Sequence, residues 1–493
     1  MTDKVGSRAL WVLVIFALIA EGIYLFAFTW RFPLPRLYAT LPPVDFAKLT
    51  DYRLTEAGFL VGIYGLLFLG LSGLLSRIPL APTPQIVGAI FLAAGMFGFT
   101  LFWLYPIFAI DMLFYALHAR LWLLYGANPL LVPAAQFPQD PWIALKGEWV
   151  NIPSAYSPLW EVLALATARV WGPENMLGIM LGLKGIALLA YLADVALIAA
   201  ITAQLWPTSW PWRVVFFAWN PLVVLELVGN GHNDGIMLTF LLLAVWWWLR
   251  RRELAAHVGM ALSVLIKITP LFVWPLLWLD GVLQRRGVRE RLQYTAWVTL
   301  ILMATAGVFL VFLWPDPRAW QAFREGDTAG RSPQALAILA AMAWEIPKAY
   351  TRVQRVFQGL FLVAYLGLLT MFVVRSQRIQ QVASPVEERW YRLGAVWWWV
   401  LVALIAIFAS NWRPWYATWL VALAALLPNP AIHRSAWALS LSALIGDVFW
   451  TNVAWRFHPY LPQLLRHVIG VGWVFGLPVV AYFWPQRWRV GPS

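Results

Sequence analysis

The chain has 493 residues, 61% of them hydrophobic and only 12% charged, with a net charge of +13 and no cysteine. So few charges cannot clothe a soluble protein of this length, which excludes a water-exposed globular enzyme. The missing thiols exclude disulfides, thiolate metal sites and cysteine nucleophiles, and the basic excess is more simply an attraction to an anionic leaflet than to nucleic acid.

From the amino terminus, apolar stretches near 8–30, 55–76 and 84–109 have the length needed to cross a bilayer. The first is too long for a signal-peptide core and no small-residue cleavage site follows it, so a retained helix is expected. Residues 111–175 form a large outer loop, with short helical segments at 112–125 and 158–171 expected to lie on, or dip into, the outer leaflet. Crossings near 176–204, 213–229 and 234–250 follow. The segment 254–280 is flanked by arginines at both ends and interrupted by Pro270 and Pro275, which predicts a broken, re-entrant hairpin. Six more crossings are expected near 293–314, 353–375, 392–410, 413–428, 434–452 and 466–485.

The sequence therefore predicts an all-α polytopic membrane protein, one domain over 1–493. It would have about twelve transmembrane helices, a re-entrant hairpin and outer-face interfacial helices. Lys4, Arg8, Arg250-Arg251-Arg252, Arg285, Arg286, Arg289, Arg291, Arg375, Arg378, Arg487 and Arg489 then fall in the cytoplasm, so both termini are expected inside the cell (plasma or inner) membrane. Tryptophan runs such as Trp246-Trp247-Trp248 and Trp397-Trp398-Trp399 mark headgroup zones. No phosphate-binding glycine loop and no metal-spaced histidine pair is present.

Polar residues are costly in such a chain, so their grouping is informative. Asp111, Tyr115, Arg120 and Gly126-Ala-Asn128-Pro129 open the outer loop; Asp111 and Tyr115 share a helix face, and a bland role for Asp111 is to cap that helix. Gly229-Asn230-Gly231-His232-Asn233-Asp234 forms a tight outer turn preceded by Glu226. Turn chemistry explains its glycines but not His, Asn and Asp in a row. Asn411-Trp412-Arg413-Pro414-Trp415-Tyr416 sets a cation among aromatics, as an interfacial anchor or as a group for phosphate or sugar. A charged loop, 316–331, is explained by solvation. Deeper in the bundle, Asp194 and Lys267 are expected to form a structural ion pair, and Lys184 to pair with Glu226 or reach a lipid phosphate.

The order Asp111-x3-Tyr115, Gly126-x-Asn128-Pro129, Tyr156-x-Pro158-Leu159, Asn220-Pro221, Gly231-His232-Asn233-Asp234 and Lys267-x2-Pro270 resembles the multi-spanning GT-C glycosyltransferases. The nearest resemblance is to bacterial polyprenol-phosphate-mannose-dependent mannosyltransferases. It lies in the half 1–280, while 281–493 resembles them more weakly. The resemblance implies transfer of a hexose, by that kinship mannose, from a polyprenyl-phosphate carrier to a hydroxyl of a glycan or glycolipid at the outer face, with inversion. Asp111 takes the place of the general base. His232, Arg413 and Lys184 are then candidate donors to the leaving phosphate, and Tyr115, Asn128, Asn233, Asp234 and Trp412 are candidates for holding sugars. No metal and no cofactor is expected; the partners are the lipid-linked donor, the acceptor and membrane lipids, with no nucleic acid.

One departure matters. Two additional helices precede Asp111, so Asp45 or Asp51 in the first outer loop compete for the role of base. The rival class is a transporter or lipid flippase, which needs no acid–base residue gathered at one face.

Overall fold

The computed structural model describes residues 2–40, 44–77, 80–313, 330–379, 385–458 and 460–484. Most of the charged loop 316–331, and Arg487 and Arg489, lie outside the described residues. Among the described residues the chain is helical, with one isolated bridge between Pro33 and Leu104 and no strand.

Eight helices are long and apolar enough to cross a membrane on their own: Ser7–Thr29, Leu54–Arg77, Pro84–Phe102, Met176–Leu205, Val288–Leu313, Ala349–Gln377, Val386–Phe408 and Gln463–Phe483. A ninth span forms if Trp210–Ala218 and Pro221–Gly229, bent by 52°, count as one. The bend has a local cause. Pro221 cannot continue a helix from residue 220, and Asn220 restarts the chain as a cap by accepting from Leu222 N at 3.0 Å. The expected count of about twelve is not reached by length and composition alone. Asp234–Leu249 and Pro414–Leu426 are too short, and Pro430–Val448 is diluted by His433, Arg434 and three serines.

The outer-loop helices appear where they were expected, at Asp111–Tyr125 and Pro158–Trp171. The first is not a surface element, since residues 112–121 are all buried, whereas the second exposes Val162, Val170 and Trp171. A pinned loop holds them down. Arg120 donates from Nε to both carboxylate oxygens of Asp140 (3.1 and 3.0 Å) and from Nη1 to the Pro173 carbonyl at 2.7 Å, with its guanidinium 4.6 Å from the Trp142 ring. A buried arginine tied so fully is structural.

The segment after Arg250-Arg251-Arg252 breaks at Lys267, between Glu253–Ile266 and the pair Thr269–Phe272 and Trp274–Leu283. Its two ends meet, because Arg285 contacts Glu253 at 2.7 Å. The chain thus leaves and returns to one place.

Loop contacts sort into two ends of the bundle. At one, Phe46 N donates to Ile107 O (2.7 Å), Phe108 N to Asn230 Oδ1 (3.4 Å), Ser332 Oγ to Ser410 O (2.6 Å), and Arg331 meets Asp447 (2.7 Å). At the other, Trp212 Nε1 donates to Leu75 O (2.9 Å), Arg213 to the carbonyls of Ala425 and Leu427 (3.0 and 2.8 Å), and Arg389 pairs with Asp280. Four π-helical segments lie at the first of these: Tyr24–Thr29, Leu225–Gly229 and Leu404–Phe408 end their helices there, and Phe449–Val453 runs into the last turn, Ala454–Arg456. Wider turns of this kind concentrate at functional sites.

Candidate active site

Asp111 is the first residue of Asp111–Tyr125, but the capping position is Ile110 and no side-chain cap bond forms there. The carboxylate turns elsewhere. Its Oδ2 accepts from the Tyr156 hydroxyl at 2.9 Å and lies 3.6 Å from His232 Nδ1, and its side chain keeps 18% exposure. Capping does not explain this placement.

Tyr156 reaches Asp111 because Ser154 and Glu161 fix its loop: Ser154 Oγ donates to Glu161 and accepts from Tyr156 N at 3.2 Å. Burial first, and then the adjacent Asp111 carboxylate, hold the Tyr156 phenol well above its ordinary pKa, so it stays a donor. Tyr115 stands edge-on to both Tyr156 and Trp160, with ring centroids at 4.8 Å in each case.

His232 is positioned by a turn that only glycine permits. Gly231 has φ +73°, and a Cβ there would stand 2.1 Å from Met112. The imidazole lies between two carboxylates, with Nδ1 toward Asp111 and Nε2 3.2 Å from Glu226, and stacks on Trp415 at 3.8 Å. Neither ring nitrogen has a hydrogen-bond partner among the described residues, so the imidazole keeps its hydrogen-bonding capacity beside Asp111. Glu226 is itself held by Asn230 Nδ2 at 2.9 Å. The neighbouring Asn233 is buried, and both its amide atoms lack a hydrogen-bond partner among the described residues. Such a side chain is suited to a ligand's hydroxyl groups.

Trp415 links this cluster to Arg413, whose guanidinium carbon is 5.9 Å from the same ring. Arg413 is half-buried and meets no described carboxylate in an ion pair. Asp234, Lys267, Arg413 and Asp111 all lie within electrostatic reach of the Tyr416 hydroxyl.

Several expectations change. Lys267 does not pair with Asp194. Its ammonium binds both oxygens of buried Asp234 at 2.9 Å and lies 4.9 and 5.3 Å from the Tyr416 and Trp419 rings. Asp234 also accepts from Trp419 Nε1 at 2.6 Å, so it anchors three elements and has little capacity left for sugar. Asp194 instead accepts from Thr239 Oγ1 at 2.7 Å, a partner in the helix Asp234–Leu249. Lys184 reaches neither Glu226 nor a phosphate: its ammonium donates to the carbonyls of Leu101, Leu104 and Gly229 at 3.1, 2.6 and 2.7 Å, fully buried. It clamps the base of the His232 turn.

Asn128 performs turn chemistry, accepting from Leu130 N at 3.0 Å and donating to Phe312 O at 2.7 Å. Trp412 is buried against Phe475 at 5.2 Å, and Trp415 occupies the position at the site. Asp45 caps Phe46–Leu49 by accepting from Lys48 N at 2.8 Å, and Asp51 is exposed in the following turn. Tyr156, Glu226 and Trp415 were passed over as site residues although each stood inside a noted motif.

An all-helical bundle with a carboxylate, an imidazole and phenols gathered at one end is a polytopic membrane protein with a polar reaction-type site. Residues 40–282, which contain Asp111, Tyr156, Glu226 and His232, match the family model described as Alpha-(1->6)-mannopyranosyltransferase, N-terminal domain. Over 374 residues the chain is 25% identical to Alpha-(1->6)-mannopyranosyltransferase A of Mycobacterium tuberculosis (strain ATCC 25618 / H37Rv), covering 71% of this chain and 66% of that relative, just under two thirds. No solved structure matches. The chain thus resembles integral-membrane mannosyltransferases of the GT-C type, as its motif order implied.

Proposed function

We propose that this protein transfers mannose from a polyprenyl-phosphate carrier to a hydroxyl of a glycan or glycolipid acceptor, with Asp111 as general base. The reading rests on one observation above others. Asp111 is the partly exposed carboxylate held by a phenol and an imidazole, inside the region that matches a mannosyltransferase domain.

In the reaction the acceptor oxygen attacks the anomeric carbon while its proton passes to Asp111. The bond from that carbon to the phosphate oxygen breaks, and the polyprenyl phosphate departs with the electron pair. Displacement from the opposite face inverts the anomeric carbon, so an α product of the kind named for the relative requires a β-linked donor. Tyr156 and His232 keep Asp111 oriented. Arg413 supplies cationic hydrogen-bond donors to the leaving phosphate, and Trp415 orients both. The buried amide of Asn233 binds sugar hydroxyls.

The end with Asp111 is assigned to the outer face. Arg250, Arg251, Arg252, Arg286, Arg289 and Arg291 surround the Glu253–Arg285 contact at the opposite end, and such clusters favour the cytoplasm. On this threading 253–285 is re-entrant and both termini are cytoplasmic. Purified protein given β-linked polyprenyl-phosphate [14C]mannose and an α-mannoside acceptor should release polyprenyl phosphate and form a labelled α-linked product. Failure with every polyprenyl-phosphate sugar, in protein that is folded, would leave the transporter reading in its place.

A further inference from the structure

The polar end carries a concavity of about 390 Å³, lined by Asp51, Tyr52, Trp455, Arg456 and His458. Its size is that of a small-ligand cleft. Tyr52 and Trp455 lie nearly parallel, with centroids 6.3 Å apart and 26° between planes, and His458 lies 5.9 Å from the Trp455 ring. Trp455 is 59% exposed. Asp51, Arg456 and His458 are exposed around it.

The turn that presents the first two residues is strained. Asp51 and Tyr52 have φ of +50° and +52°, a left-handed conformation that costs energy for any residue but glycine. Tyr52 N donating to Ala47 O at 2.8 Å holds it there. A tryptophan that only anchors a helix at the headgroups needs neither strain nor opposite charges about its ring.

Aromatic faces beside a carboxylate and a guanidinium suit a neutral polyol: the apolar face of a pyranose covers the rings while the charged groups bond its hydroxyls. The concavity is also tied to the catalytic end. Asp45–Asp51 is joined to the chain before Asp111 through Phe46 N and Ile107 O, and Trp455 follows the π-helical end Phe449–Val453, next to Asp447 and Arg331.

We propose that this concavity is a remote acceptor subsite, holding hexose units of a glycan chain whose growing end lies at Asp111; it rests on the glycosyltransferase reading above. The test uses the purified full chain with two probes, α-1,6-linked mannobiose and mannohexaose. Saturation-transfer NMR measures binding, and steady-state kinetics with the lipid donor measures transfer. Trp455→Ala and Asp51→Asn should each weaken mannohexaose binding about 10-fold and raise its KM correspondingly, with kcat unchanged. Mannobiose kinetics should stay as in the wild type. Unaltered mannohexaose binding in both variants overturns the proposal, and so does an equal loss for both probes. If the wild type binds mannohexaose through Trp455 yet transfers no sugar, the concavity is a glycan-binding site, and both its role as an acceptor subsite and the transferase reading fall.

Discussion

The two ends of the bundle both bury charge, and they treat it differently. At the arginine-rich end, Asp280 accepts from Arg389 through two nitrogens and from Trp248 Nε1 at 2.9 Å, while Glu253 takes Arg285 at 2.7 Å. The Arg389 guanidinium also lies 4.7 Å from the Trp248 ring. Asp280 and Glu253 there each meet an arginine. At the other end Asp111 has a phenol and a histidine 3.6 Å away, His232 stands between two carboxylates, and the Asn233 amide has no partner among the described residues. Saturated charges hold helices together, whereas charges left short of partners are available to a substrate.

This contrast breaks first if Arg389 proves dispensable. Arg389→Ala strands the buried Asp280, at an expected cost of about 3–5 kcal/mol in stability. Thermal unfolding of the detergent-solubilised variant should show it, while turnover per folded molecule stays unchanged. Next in size is Asp111→Asn, which still accepts from Tyr156 but takes no proton. Turnover should fall about 100-fold or more, with donor binding and melting temperature preserved. Asp45→Asn is the control, expected to keep turnover while losing a cap worth about 1 kcal/mol. Full activity in Asp111→Asn, with loss in Asp45→Asn, would move the base to the first loop.

A smaller effect separates the groups around Asp111. His232→Gln should lower kcat about 10-fold, equivalent to about 1.4 kcal/mol, with the donor KM little changed. Arg413→Ala should mainly raise the donor KM. Equal changes in both parameters for both variants would mean that the two residues do one job. A fully active Arg413→Ala would reduce it to an interfacial anchor. The smallest expected change is Asn128→Ala, about 1 kcal/mol of stability with normal kinetics, since its amide serves the Phe312 carbonyl and its own turn. A raised KM for acceptor would restore it to the sugar site.

Helix positions were legible because lipid-facing stretches must be apolar for their whole length, whatever they pack against. The neighbourhoods of Asp111, His232 and Arg413 were legible as well, since polar groups at helix ends are rare enough to be noticed. Partner choice was not. Lys267 faces Asp234 rather than Asp194 because the break after Ile266 puts its backbone in an extended conformation, which helical spacing does not anticipate. Trp412 and Trp415 exchanged roles for a similar reason: residues 409–416 pass through irregular and 3-10 backbone, so their phase cannot be counted from the preceding helix. Tyr156 met Asp111 across 45 residues, through a loop fixed by contacts that no local pattern contains.

The four π-helical ends carry a consequence for how such a molecule changes over time. A π turn holds one residue more than an α turn, so a helix ending that way absorbs a single-residue insertion or deletion without rotating the span below it. All four lie at the end that carries Asp111. Loops there can be lengthened, shortened or re-aimed one residue at a time while the lipid-facing register stays put, and a new acceptor can be accommodated without rebuilding the membrane core.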